Sequence, residues 1–205
     1  MTAMPKPRTI HDFGRSLPAA LFECQYPVPG DPELAAQVAD LLSSYHATLD
    51  QSWGLDHGTW AVLSKAWPAA DIPVLQISLD AGMPNSERIE LGRKLIPLRD
   101  EGVLLAGSGN IVHNLGEMQW DENAAPHTWA TRFNDRIKNI VADGDEIGLC
   151  NYEAMGEDAR LAVADPDHFW ALMYLIGASD DDAVTFHTDF IQYKSLSMTS
   201  LVFAS

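Results

Sequence analysis

Seven histidines are spread along the 205 residues. Five of them, His11, His57, His113, His168 and His187, each fall beside a turn or at the end of a predicted element. Imidazole is the side chain that moves protons near neutral pH and also ligates metals. Dispersed histidines at element ends are the pattern of a site assembled from loops, and a metal is the commonest reason to gather them. The best placed is His113, in V-L-L-A-G-S-G-N-I-V-H-N-L (103–115). An apolar run there predicts a buried strand, and Gly107 and Gly109 let the backbone turn and approach a ligand. A polar side chain just beyond such a strand is where open α/β sheets place their chemistry. On local pattern alone His113 reads equally as a satisfied strand-end histidine. His57, in D-H-G-T-W (56–60), reads as an acid or base, or as a helix-start hydrogen bond. His168, in the first turn of an apolar helix, reads as functional or as bonded to a neighbouring loop.

Other constellations are absent. Ser108 follows the predicted strand, but a nucleophile elbow needs glycines two residues to either side, and Ala106 and Asn110 stand there. No phosphate loop, dinucleotide fingerprint, H-E-x-x-H or paired C-x-x-C occurs.

The elements that must position these residues follow from periodicity. T-I-H-D-F-G (9–14) and Y-P-V-P-G (26–30) are extended or turn structure. Asp31 caps a helix with Pro32 in its first position and Leu34, Val38, Leu41 and Leu42 on one face. A short helix follows D-H-G-T-W and closes at Pro68. Ile72 to Asp80 alternates as a strand, Ser86 to Asp100 is a helix ending near Gly102, and the Val103 strand completes a βαβ unit with a parallel pair. Pro126 to Val141 forms an amphipathic helix with Trp129, Phe133, Ile137 and Ile140 or Val141 inward and His127 on the surface. A short helix spans Asp145 to Met155, and Asp165 and Pro166 open the apolar helix carrying His168. Asp180 to Asp182 is a solvated acidic turn, and Val184 to His187 and Leu196 to Ala204 are closing strands.

The length suits a single domain with a substantial core. A net charge of -16, with 13 basic residues scattered among 29 acidic ones, excludes a phosphate-reading surface, so neither nucleic acid nor an anionic membrane is a partner. Cys24 and Cys150 form no disulfide framework and suit a reducing compartment. No apolar run reaches the roughly 20 residues of a membrane span and no signal peptide opens the chain, which places the protein in the cytoplasm.

Several blocks carry a resemblance. T-I-H-D-F-G (9–14), Y-P-V-P-G-D-P-E-L-A (26–35), G-L-D-H-G-T-W (54–60), A-D-I-P-V-L-Q-I-S-L (70–79), L-R-D-E-G-V-L-L-A-G-S-G-N-I-V-H-N-L (98–115), the P-D-H segment with its apolar helix (166–178) and S-L-S-M (195–198) occur in that order. Together they resemble the class III extradiol ring-cleavage dioxygenases, in their DOPA-dioxygenase-like branch.

The resemblance implies an α/β fold, a single domain over 1–205 with a central mixed sheet flanked by helices and lacking the family's first strands. It implies a non-haem metal, Fe(II) or else Zn(II), and cleavage of a catechol ring by dioxygen beside the diol to give a semialdehyde. His113 matches the family's acid/base histidine, His57 a histidine near the substrate, and His168 the carboxyl-terminal metal ligand. Two further metal-binding histidines, in an H-G-S-P-like turn and an S-A-H-W-like strand end, have no counterpart here. The chain is therefore expected to be amino-terminally truncated relative to the family. A rebuilt site would draw on His11 or on His113. An exposed edge would then be covered by a homo-oligomer or by the missing segment. Two functions compete: an extradiol dioxygenase, and a non-catalytic remnant or interaction subunit without a complete metal site.

Overall fold

The computed structural model describes residues 1–14, 17–180 and 182–204. The chain divides into two compact units, Met1–Ser78 and Leu79–Ser205.

In the first unit, helices α1 (Ala19–Glu23), α2 (Pro32–Leu41) and α3 (His57–Ala66) are joined by irregular chain. α2 begins as its sequence predicts: Asp31 Oδ1 accepts the Leu34 N–H at 2.9 Å and Pro32 needs no partner for a donor it lacks. α3 begins the same way, with Asp56 Oδ1 accepting the Thr59 N–H at 3.0 Å. Tyr26, Val28, Leu55 and Trp60 form the core, with Phe13, Leu63 and Val74 against it. The predicted strand Ile72–Asp80 does not form. Its backbone makes single contacts instead, Val74 N–H to Pro29 O and Thr2 N–H to Gln76 O, both 2.9 Å. Alternation favours an extended chain, but a ladder needs a partner strand alongside.

In the second unit, the predicted helix over Ser86–Asp100 is two, α4 (Asn85–Lys94) and α5 (Ile96–Asp100). Pro97 sits in the first turn of α5, where a missing N–H is tolerated, and within one continuous helix it would break the hydrogen bonding. Helices α6 (Thr128–Ala142), α7 (Glu146–Cys150), α8 (Glu157–Ala162) and α9 (Asp167–Ala178) follow. Phe133, Ile137 and Val141 of α6 and Phe169 and Met173 of α9 make the main core. α4 crosses α9 closely because glycine faces backbone on both sides: a Cβ on Gly177 would stand 1.9 Å from Ile89 O, and one on Gly92 2.1 Å from Tyr174 O. Buried Arg88 lays its guanidinium over the Trp170 ring at 3.9 Å and donates to Asp80 O at 2.6 Å.

The class is mixed α and β, as expected, but the β component differs in form. Strands β1 (Ala183–Thr188) and β4 (Ser200–Ala204) pair antiparallel, as do β2 (Ile191–Gln192) and β3 (Leu196–Ser197). Among the described residues there is no parallel βαβ pair. The Val103 segment carries no ladder, and Leu104 is 70% exposed. It lies along α9, with Gly107 against Leu175 and Ala171. In the acidic turn Asp180 is exposed, as expected, whereas Asp182 is partly buried in an ion pair with Arg99. Asp181 of that turn lies outside the described residues. His127 is half-buried rather than on the surface, with Nε2–H donating to Glu117 O at 3.2 Å and its ring stacked on Trp129.

Candidate active site

In the second unit the chain from Asn110 to Asn114 is clamped from two sides. The His113 N–H donates to Ala162 O at 2.8 Å, at the end of α8. On the other side Ser197 N–H reaches Val112 O at 2.9 Å, Asn114 N–H reaches Ser195 O at 3.2 Å, and Ser195 Oγ–H donates to Asn114 O at 2.7 Å. Both serines are buried. The Asn114 side chain donates to Leu161 O and accepts the N–H groups of Gly116 and Glu117, closing the turn after His113. S-L-S-M and V-H-N-L are therefore two halves of one scaffold, and its product is a histidine with a fixed backbone.

Helix α9 brings His168 to it. The two imidazoles stack with centroids 3.7 Å apart and planes 12° from parallel. Asn110 orients the second ring: its amide N–H donates to Ser197 O, which turns Oδ1 towards His168 Nδ1 at 3.0 Å. An amide oxygen only accepts, so Nδ1 of His168 carries the proton. The approach of the segment to α9 depends on Gly109, where a Cβ would stand 2.0 Å from His168 O. The glycines at 107 and 109 thus admit a helix backbone, where their sequence suggested a turn open to a ligand.

In the first unit His57 opens α3. Its Nδ1–H donates to Asp12 Oδ1 at 2.7 Å, and its backbone N–H donates to the same oxygen at 3.1 Å. The Phe13 ring meets the imidazole edge-on, 5.7 Å between centroids. Burial works to raise the Asp12 carboxyl, but the hydrogen bonds and charge of His57 prevail and hold it below its ordinary value. His11 turns Nε2–H to Cys24 O at 2.9 Å and packs among Phe13, Phe22 and Trp60. His187 sits where the β1–β4 register shifts, between Phe186 and Thr188.

Of the three sites expected from sequence, His113 and His168 come together within one unit, while His57 has its own partner, Asp12. Sequence reasoning did not single out Asp12 or Asn110. Both lie inside the blocks T-I-H-D-F-G and G-S-G-N-I-V-H-N-L, so an acid or amide within a quoted block was the available signal. Among the described residues no three His, Cys, Asp or Glu side chains gather into a metal-binding group. A catalytic ion usually takes three protein ligands, so the described residues do not by themselves fit the iron or zinc that the resemblance implies. No helix among the described residues is long and apolar enough to cross a membrane.

Residues 2–204 match the family described as the catalytic LigB subunit of aromatic ring-opening dioxygenase. A 4,5-DOPA dioxygenase extradiol of Escherichia coli K12 is 44% identical over 206 residues, covering 98% of this chain and 75% of that protein. The Beta vulgaris protein of the same name is 36% identical, and the alignment spans 85% of this chain but 66% of the plant protein. A crystal structure of an uncharacterized E. coli K12 protein superposes with a TM-score of 0.82 at 39% identity, over 98% of this chain and 78% of the other. With the family match running over residues 2–204 and a relative 44% identical over 98% of this chain, the chain belongs to the LigB family of aromatic ring-opening dioxygenases.

Proposed function

We propose that residues 1–205 work as one domain of an extradiol dioxygenase that opens the ring of a catechol-type aromatic with dioxygen beside the diol, giving a semialdehyde. The observation that carries this reading is the stacked His113–His168 pair. Its backbone and second ring are fixed by Ala162, Ser195, Ser197 and Asn110, a degree of preorganisation that acid/base work requires and a merely satisfied histidine does not. His113 takes the proton of a catechol hydroxyl and returns it as the ring opens. To His57 we assign, on the resemblance alone, the role of a second proton-handling group. His168 is the side chain we assign to the non-haem Fe(II), or Zn(II), of such enzymes, its tautomer already set by Asn110. The described residues offer that ion no complete donor set. Two free cysteines and the acidic composition accord with a cytoplasmic protein that binds neither nucleic acid nor membrane.

The test is turnover of a catechol by the purified chain supplied anaerobically with Fe(II) and then exposed to dioxygen. A yellow ring-opened product, lost in His113→Ala, supports the reading, and no turnover overturns it. That no three donors gather among the described residues motivates a second reading, a non-catalytic subunit of the same fold that associates with another copy or another chain. Elemental analysis separates the two, since near-stoichiometric metal on the purified chain sinks the subunit reading.

A further inference from the structure

His57 is half exposed, at 43% of its side chain, and Asp12 31%. An ion pair so placed contributes little to stability, yet it is built with unusual economy. A single oxygen, Asp12 Oδ1, receives both the backbone N–H and the Nδ1–H of His57. The first bond satisfies one of the orphan donors at the start of α3, a role Asp56 already fills for Thr59. The second ties the ring to the same point, so its position and rotation are set together.

The segment bearing Asp12 is itself locked to the segment bearing His57. The Ile10 N–H donates to Leu55 O and the Leu55 N–H to Arg8 O, each at 2.8 Å, and Trp60 Nε1–H donates to Ile10 O at 2.7 Å. Phe13, next to Asp12, stands edge-on to the imidazole and packs against Trp60 at 6.1 Å. These bonds hold the two segments that carry the pair side by side.

We infer that Asp12 is a positioning residue for ring opening, holding His57 with Nδ1 protonated so that Nε2 is presented as the proton acceptor. A carboxylate only accepts, so the neutral ring bound to it must carry its proton on Nδ1, and the lone pair then resides on Nε2. His57 thereby becomes a one-directional base whose active nitrogen is chosen by the carboxylate bonded to its other nitrogen. This rests on the ring-opening reading of the preceding subsection, and the experiment separates the two.

The test is long-range proton–nitrogen correlation on the nitrogen-15-labelled full chain at a pH where His57 is neutral, alongside steady-state turnover. The wild type should show His57 protonated on Nδ1. Asp12→Ala should shift it to the Nε2–H form, with kcat down by about 10–100-fold and KM changed by less than about twofold. Asp12→Glu should recover part of both signals. The double variant Asp12→Ala/His57→Ala should be no slower than His57→Ala alone. A wild-type His57 found in the Nε2–H form overturns the proposal, as does an Asp12→Ala protein with unchanged kcat. Asp12→Asn, nearly isosteric, guards against loss of fold in the alanine variant. A wild type that opens no ring defeats the functional reading, and the tautomer still decides the placement of His57 by Asp12.

Discussion

The imidazoles of His113 and His168 lie face to face, 3.7 Å between centroids and 12° from parallel, though 55 positions separate them in sequence. Groups in such contact act as a unit, so their removal should not be additive. His113→Ala and His168→Ala are each expected to lower catechol turnover by about 10²–10⁴-fold, and the double variant to lose little more than the worse single one. Steady-state rates for the four proteins, with thermal melts to confirm folding, check this.

Gly109 admits the backbone of α9 beside His168, and a Cβ would meet His168 O at 2.0 Å. Gly109→Ala must therefore push the segment off the helix, at a cost of about 1–3 kcal/mol, and should lower turnover by separating the two rings. Gly82→Ala, whose added carbon would stand 3.4 Å from its nearest neighbour, should change stability by less than about 0.5 kcal/mol. Urea denaturation of both variants reads the contrast.

The Asp12 carboxyl is subject to burial, which raises it, and to the His57 hydrogen bonds and charge, which win and leave it below its ordinary 3.8. A folded pKa below the unfolded one means that the unfolded chain binds more protons between the two, so stability rises with pH through that window. The contribution is present above the unfolded value and lost as pH falls through the folded one. The small stability gap between wild type and Asp12→Asn should accordingly be open near about pH 5, above the ordinary carboxylate value, and should shrink at a pH well below that value. Denaturation curves at both pH values measure it.

Arg99 closes the end of α9, donating from Nη1 to Ala178 O and Ser179 O at 2.9 Å each and pairing with the partly buried Asp182. Arg99→Ala removes this donor from Ala178 O and from the Asp182 carboxylate, while Ser179 O keeps the Asp182 N–H at 3.0 Å. It should cost about 1–3 kcal/mol, whereas Arg99→Lys should recover only part, because an ammonium cannot reproduce the planar fork. Midpoints of chemical denaturation distinguish the three proteins.

Helix starts were the most legible features in the sequence. Asp31 before Pro32, and Asp56 before His57, announce α2 and α3 because capping is decided by residues within three positions of each other. The inward faces of α6 and the apolar body of α9 were equally plain. Strands were not: Ile72–Asp80 and Val103–Ala106 have the composition of strands, yet a strand is completed by a neighbour that its own residues do not name. The division of Ser86–Asp100 into α4 and α5 hung on Pro97, whose effect depends on whether it falls in a first turn or an interior.

By itself the sequence determined the family, the histidines worth examining and the glycine spacing at 107 and 109, since these are properties of local blocks read in order. Tertiary structure alone decided which of those histidines meet. It stacked His113 on His168, gave Asn110 the task of setting a tautomer, and assigned Asp12 to His57 across 45 positions. The physical reason is range: caps and turns act within a few residues, whereas a site is made by hydrogen bonds whose partners only folding brings within 3 Å.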